Sequence, residues 1–559
     1  MKIKHIFVSM ALVTLCLSCT KSFEDMNKNW KNPTGTEIGP LFNGVIRSLQ
    51  LGWNEQFYLS NEIYYSETEL GALISDGWGN YSIGTEEMWS DYYYALANIR
   101  DLEERFDEKC TSSGDAAICD VARAQVIVLK AYKTYKVTDV FGDIPYSQAG
   151  MIWRASNDSV DYKRPKFDTQ ESIYKSLLNE LVWARDILNA GDVKTPSGND
   201  YLSLREYDPL FGGDLTKWGK FANSLILRHG LRCYAKDPDF AAPLLADAYN
   251  KPVIDDARGV CLWPSMLGYE KTSTIWSFSE HKNLRMGTTI WENMSSDNDT
   301  LGSGIFDYRA YIFFDTNYGK ETQPNMGNWV PFPQIRTSET PPEGGSPYST
   351  NRDVKYALKG SACIYSPFNY YLVRDQKFIP EIMMTYSDVL LMKAEVAALG
   401  IVNVSLNEIK QNLFEEGIYQ SFVFWTQMPA GASIWQYRYP AYATLVDNAS
   451  DIYSACRQMA SMVSNAVYQK YTEPSSGNDF LPLIYQQRWL NLFRQPWEAW
   501  ALARRTHQTP TTIDHKKLTS NRLEYPPTEI EYNYDQYNTQ TAKMQYGDTR
   551  QTKVWWMTE

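Results

Sequence analysis

The residues from Ile74 to Tyr81 (I-S-D-G-W-G-N-Y) bring together side-chain types suited to holding a sugar. A pyranose ring has an apolar C–H face that stacks on an aromatic plane. Its hydroxyls pair with planar amides, carboxylates and guanidinium groups. In this stretch Trp78 and Tyr81 are the candidate platforms, Asp76 and Asn80 the candidate hydrogen-bonding groups, and Gly77 and Gly79 free the backbone. Trp78 could equally plug the core or a partner's interface, since indoles do both. Tyr269, Trp276 and Trp329 fall in later loop-like stretches and are further candidate ligand-binding residues. Trp291 reads as packed on the scaffold, and Trp218, Trp489, Trp497 and Trp500 as core. Trp89, Tyr92, Tyr93 and Tyr94 fall on one helix, lining core or groove.

Bond-breaking chemistry finds little support. His229, His281, His507 and His515 are widely separated, and the chain has no nucleophile-elbow serine, phosphate-cradling glycine loop or zinc-protease helix. Paired acids such as Glu86 with Glu87, or Glu103 with Glu104, could serve glycoside hydrolysis. With 66 acidic residues in the chain, they read more simply as solvated helix faces, and no enzyme is expected. Loop carboxylates could hold a structural calcium ion, but no loop has the ligand spacing that argues for one, so no cofactor is expected. A net charge of −12 without a basic stripe argues against nucleic acid as a partner. Apart from Cys16 and Cys19, the cysteines are Cys110, Cys119, Cys233, Cys261, Cys363 and Cys456, with no metal spacing. Cys110 and Cys119 flank T-S-S-G-D-A-A-I and either bridge locally or stay free thiols.

The elements that must position these side chains are mostly helices. The period predicts helices at 41–51, 64–72, 88–106, 120–140, 169–189, 215–234 and 240–248, then at 386–399, 406–419, 451–469 and 480–505. On the 120–140 helix, Ala124, Ile127, Val128, Ala131 and Tyr135 form the core stripe, with Lys130, Lys133 and Lys136 opposite. Gly142 and Pro145 stop that helix abruptly in a G-D-I-P-Y corner. Thr385 and Asp388 make a capping pair, Gly400 a C-terminal stop, and Pro496 a break with a restart at 497–505. Between 251 and 380 the period fades into Gly, Pro, Asn, Ser and Tyr. A stretch that long without regular structure is expected to have a job. Within it, 286–314 looks like helix or strand packed on the scaffold. The reading is one domain, 41–559: a helical scaffold at 41–250 and 381–507, the irregular region 251–380, and an extended tail at 508–559.

Residues 1–18 read as a secretory signal: Lys2 and Lys4 precede an apolar run from Ile6 to Leu17. No later stretch approaches the ~18 apolar residues that a membrane span needs. The sequence C-L-S-C ending at Cys19 is similar to a lipoprotein cleavage site, although Cys16 stands where leucine is usual. Residues 19–40 read as a tether.

Five stretches then carry a resemblance. They are T-D-V-F-G-D-I-P-Y-S-Q-A (138–149), K-W-G-K-F-A-N-S-L-I-L-R-H-G-L-R (217–232) and Y-S-D-V-L-L-M-K-A-E-V-A-A-L-G (386–400). R-W-L-N-L-F-R-Q-P-W-E-A-W-A-L-A-R-R-T (488–506) and R-L-E-Y-P-P-T-E-I-E-Y-N (522–533) complete the set. Together they resemble the SusD/RagB family of outer-membrane nutrient-binding lipoproteins over nearly the whole chain. The resemblance implies a mainly α, SusD-like fold: a tetratricopeptide-like helical-repeat scaffold of four helix pairs, with a large irregular, loop-rich ligand-binding region. It implies that the loop after the second helix contributes to the ligand face. It also implies a lipid (palmitate) anchor on Cys19, with surface export signalled by T-K-S-F-E-D. The implied role is capture of oligo- or polysaccharide for a SusC-like TonB-dependent transporter of the outer membrane. A peptide receptor of the same uptake system, or a transporter lid that binds nothing itself, are the alternatives.

Overall fold

The computed structural model describes residues 38–77, 79–110, 116–156, 160–190, 204–267, 283–296, 300–317, 327–343, 363–369, 379–428, 439–471, 473–507 and 518–558. The architecture is mainly α. In the first half, α1 spans Ile38–Arg47, α2 Tyr81–Lys109, α3 Ala116–Phe141, α4 Gln170–Asn189, α5 Leu215–Tyr234 and α6 Pro238–Tyr249. From α2 to α4 the cross-helix partners run in opposite directions along the chain, so these successive helices are antiparallel. Between α2 and α3 these are Glu103 with Lys130 and Tyr92 with Thr134; between α3 and α4, Glu180 with Lys130 and Tyr174 with Tyr135. In the second half come α7 Tyr386–Ala398, α8 Glu416–Gln427, α9 Pro440–Asn448, α10 Ile452–Tyr471, α11 Gly477–Asn491 and α12 Pro496–Thr506. Small two-stranded antiparallel sheets tie distant segments together. β1 (Ala72–Leu73) pairs with β5 (Leu284–Arg285), β2 (Ile144–Pro145) with β3 (Phe167–Asp168), and β4 (Val260–Leu262) with β6 (Glu381–Met384).

Helix ends follow their local chemistry. The Thr385 hydroxyl accepts the Asp388 amide at 3.1 Å, which caps α7, and Gly400 takes φ +71° beyond its end. Pro496 opens α12, where its missing amide donor costs nothing. Cys110 and Cys119 are bridged, tying the end of α2 to the start of α3.

Several expectations need correction. The helical segment expected at 64–72 lies earlier, at Glu55–Tyr64, with widened π-type turns that continue as Tyr65–Glu67. It is hidden in the sequence because polar side chains face inward: Gln56, Ser60 and Asn61 are buried, and Gln56 donates to Asn61 at 2.8 Å across five residues. The lysine face of α3 is not solvated either. Lys130 is paired with Glu103 and Glu180, Lys133 donates to the Ser48 carbonyl, and Lys136 meets Glu55 at 2.5 Å. Burial pushes the Lys133 ammonium down to about 8. The tail holds two short helices, Pro527–Tyr532 and Tyr534–Thr541, where an extended chain was expected. It covers the G-D-I-P-Y corner: the Tyr525 hydroxyl donates to the Asp143 carbonyl at 2.6 Å and Gln540 to the Asp143 carboxylate at 2.8 Å.

The resemblance-bearing motifs meet inside. Asp139 on α3 takes Arg232, the Tyr174 hydroxyl and the Trp556 indole N–H. Arg232 reaches Glu498 at 2.5 Å, and Arg228 reaches Asp388 at 3.0 Å. Arg488 reaches Asp388 at 3.0 Å and Glu395 at 2.8 Å, and Arg505 closes on Glu395 at 2.5 Å. Burial alone would raise the Glu498 carboxyl, but Arg232 and Arg228 outweigh it and hold it down to about 2. His229 stacks on Tyr135 with centroids 3.7 Å apart; burial, then Arg232 and Arg228, push its pKa well below the usual value, so it stays neutral.

Candidate functional site

A polar cleft of about 320 Å³ lies where the 74–81 loop leaves β1. Glu62 comes from the π-type helix, Ser75 and Asp76 from the loop, Gln334 and Arg336 from the middle region, and Thr519 and Arg550 from the tail. The base of the loop is fixed on three sides. Ala72 pairs with Arg285 across β1 and β5, Asn283 donates to the Ser75 hydroxyl at 3.1 Å, and the buried Arg285 meets Glu343 at 3.0 Å. At Gly77, φ is +74° and an added Cβ would sit 2.9 Å from the Glu62 carboxylate, so this turn and Glu62 are packed together. The floor is tied to the scaffold through the buried Glu67, which accepts the Thr519 amide at 2.8 Å.

Of the residues singled out from the sequence, Asp76 lines this cleft; it is exposed and paired with Arg336. Tyr81 differs from expectation. It is the first residue of α2 rather than a loop platform, half-buried against the core, with the Arg550 guanidinium 4.1 Å above its ring centroid. Asn80 is exposed and precedes α2 without a capping side-chain bond. Trp329 is a correction: it is 3% exposed and stacked on Trp291 at 5.5 Å, with Tyr311 and Tyr439 against it, so it presents no face to solvent. Trp291, Trp218, Trp489, Trp497 and Trp500 are buried as expected, while Tyr94 on α2 is exposed. Trp78, Tyr269, Trp276 and Cys19 lie outside the described residues.

Sequence reasoning missed Glu62, Gln334, Arg336, Thr519 and Arg550. No local pattern marks them; Arg336 and Asp76 meet across 260 residues of chain. Chemically, the cleft offers two guanidinium groups, three carboxylates, an amide and hydroxyls in a narrow space. That set suits a hydroxyl-rich ligand, because planar fork-shaped groups can span neighbouring hydroxyls. Among the described residues, no cluster of His, Cys, Asp or Glu is placed to hold a metal ion, and no helix is long and apolar enough to cross a membrane.

Residues 32–526 match a SusD-like family described as starch-binding and associating with the outer membrane. The chain belongs to that SusD-like family. Solved structures agree on the fold. A chitin-binding protein superposes with a TM-score of 0.65 at 18% identity, covering 93% of this chain and 100% of its own. A SusD-like protein of the Bacteroidetes gives 0.65 at 18% identity, over 94% and 100% of the two chains. A SusD homologue from Bacteroides thetaiotaomicron gives 0.60 at 18%, also over 94% and 100%. At these identities the likeness carries the SusD-like fold and nothing finer. No curated protein matches the chain. The family places the protein among carbohydrate-binding proteins of the outer membrane.

Proposed function

We propose that the protein captures oligo- or polysaccharide at the cell surface and passes it to a SusC-like, TonB-dependent outer-membrane transporter. The observation that carries this reading is the polar cleft beneath the 74–81 loop in a chain of a starch-binding family. Arg336 and Asp76 would bond sugar hydroxyls, Arg550 and Glu62 would line the cleft with them, and an indole from Trp78 would supply the stacking plane. Affinity is expected to be modest, because a shallow contact buries little surface and must let its cargo go.

Calorimetry and affinity electrophoresis with maltoheptaose, chitohexaose and their parent polysaccharides test it. Arg336→Ala is expected to weaken saccharide binding about tenfold, the scale of one lost charge-assisted hydrogen bond, and Trp78→Ala by a similar factor. The Arg336 side chain can be removed without opening the core, since it is exposed. Binding of peptides with no saccharide binding would replace this reading with a peptide receptor. No binding of either, with the transporter complex intact, would leave a lid.

The cysteine at position 19, after a signal-like apolar run, motivates a lipid anchor in the same proposal. Cys19→Ser is expected to leave the membrane fraction and to lose label from a radioactive fatty acid. A Cys19→Ser protein that still sediments with membranes would remove the anchor.

A further inference from the structure

A second concavity, about 620 Å³, opens on the helical half between α3 and α4, beside the end of α2. That volume falls in the range of small-molecule sites. Its apolar surface is the Cys110–Cys119 disulfide, Ile127 and the indole of Trp183. Trp183 stands out on its helix. Leu177, Leu181 and Leu188 of α4 are fully buried, whereas Trp183 is 38% exposed and turned into the cleft. A part-exposed indole at the edge of a concavity offers a flat apolar face on which a ring can stack.

The rim around that indole is polar. Asn179 and Glu180 lie one helical turn before Trp183 and share its face. Asp120 and Arg123 face them from α3. Glu180 is committed to Lys130 at 2.8 Å, and Arg123 to the exposed Asp107 at 2.7 Å. Asn179 and Asp120 make no side-chain hydrogen bond to any described residue, so both are available to a ligand. The disulfide holds the start of α3 against the end of α2, and the Lys130–Glu180 pair ties α3 to α4. An aromatic plane ringed by an amide, carboxylates and a guanidinium fits a sugar ring; a lipid tail or an apolar helix would leave Asn179 and Asp120 without partners.

We propose that this cleft is a second saccharide-binding site, with Trp183 as its stacking plane and Asn179, Asp120 and Arg123 as its hydrogen-bonding groups. The inference rests on the glycan reading above and adds a site on the helical scaffold. Two sites on one chain favour long polysaccharides over short fragments, because engaging the second becomes an intramolecular event.

Calorimetry with maltoheptaose and chitohexaose, and affinity electrophoresis on the parent polysaccharides, would compare the parent with Trp183→Ala, Trp183→Phe, Asn179→Ala and Arg336→Ala. Trp183→Ala is expected to remove one class of sites, weakening it about tenfold, with partial rescue in Trp183→Phe. Polysaccharide retention should fall more than oligosaccharide affinity does. If Trp183→Ala leaves stoichiometry, affinity and retention unchanged while Arg336→Ala weakens binding, the second site is overturned and the primary reading stands. If Trp183→Ala lowers recovery of a co-purifying transporter and leaves saccharide binding intact, the cleft is a protein contact and the inference is wrong. If the parent binds neither saccharide, both readings fall together.

Discussion

Replacing Arg488 with leucine is expected to cost about 3–5 kcal/mol of stability, read as a lower midpoint in urea or thermal unfolding. The guanidinium donates to Asp388 at 3.0 Å and to Glu395 at 2.8 Å, and all three residues are buried. Leucine replaces part of the apolar stem, but it strips two carboxylates of a partner in a place water cannot reach. Neither acid is abandoned, since Arg228 still holds Asp388 and Arg505 still holds Glu395. That retention keeps the loss from growing larger. Arg488→Lys should recover only part of it, because an ammonium cannot reach both acids as a fork does. The damage should spread to both halves of the molecule: Asp388 of α7 binds Arg228 of α5, and Glu498 of α12 binds Arg232 of the same helix. Hydrogen exchange should therefore quicken in α5 as well as in α11. A leucine variant within about 1 kcal/mol of the parent would show that the network is dispensable.

Stability at pH 8 is expected to rise by about 3 kcal/mol in Glu529→Gln, with no gain at pH 4. Burial pushes the Glu529 carboxyl up from its ordinary 4.5 to about 7, against hydrogen bonds from Asn533 and Trp89 that favour the charged form. The folded protein therefore holds a proton on Glu529 that the unfolded chain has already released. The stabilisation is fully present below about pH 4.5 and is lost as pH rises through about 7. Glutamine copies the protonated form and removes that dependence. Glu529 begins where the tail docks on α2: Asn533 donates to it at 2.7 Å, and the neighbouring Thr528 amide reaches Glu86 at 3.3 Å. Raising the pH from 5 to 8 should thus loosen the 522–541 segment first, seen as faster hydrogen exchange there, and the glutamine variant should abolish the difference. Equal pH profiles for parent and variant would refute the assignment.

Much of the scaffold was legible because helix signals are local. The Thr385 cap, the Gly400 stop and the Pro496 restart each depend on a few neighbouring residues, and each stands where the sequence indicates. Legibility failed where polar side chains face inward. Gln56 donates to Asn61 inside a helix that reads as a polar stretch, and Lys130 and Lys136 turn inward because Glu103, Glu180 and Glu55 arrive from other helices. The candidate site was legible only in part. The 74–81 loop does border a cleft, yet Asp76 is the one hydrogen-bonding candidate of that loop found in its wall, and Tyr81 has been taken into α2. Trp329 looked like a platform because its neighbours in sequence are loop-like. It is core because Trp291, Tyr311 and Tyr439 come to it from elsewhere.

By itself the sequence determined the helical periods, the points where glycine and proline interrupt them, and the motifs that carry the SusD-like family. These follow from backbone angles and side-chain spacing within a turn or two. Only the tertiary structure decided which charges meet. Asp139, Arg228, Arg232, Asp388, Glu395, Arg488 and Glu498 come from four separate motifs and converge in one buried network, while Asp76 finds Arg336 across 260 residues. Partnership and burial are properties of surfaces brought together by folding, and no local pattern records which surfaces those are.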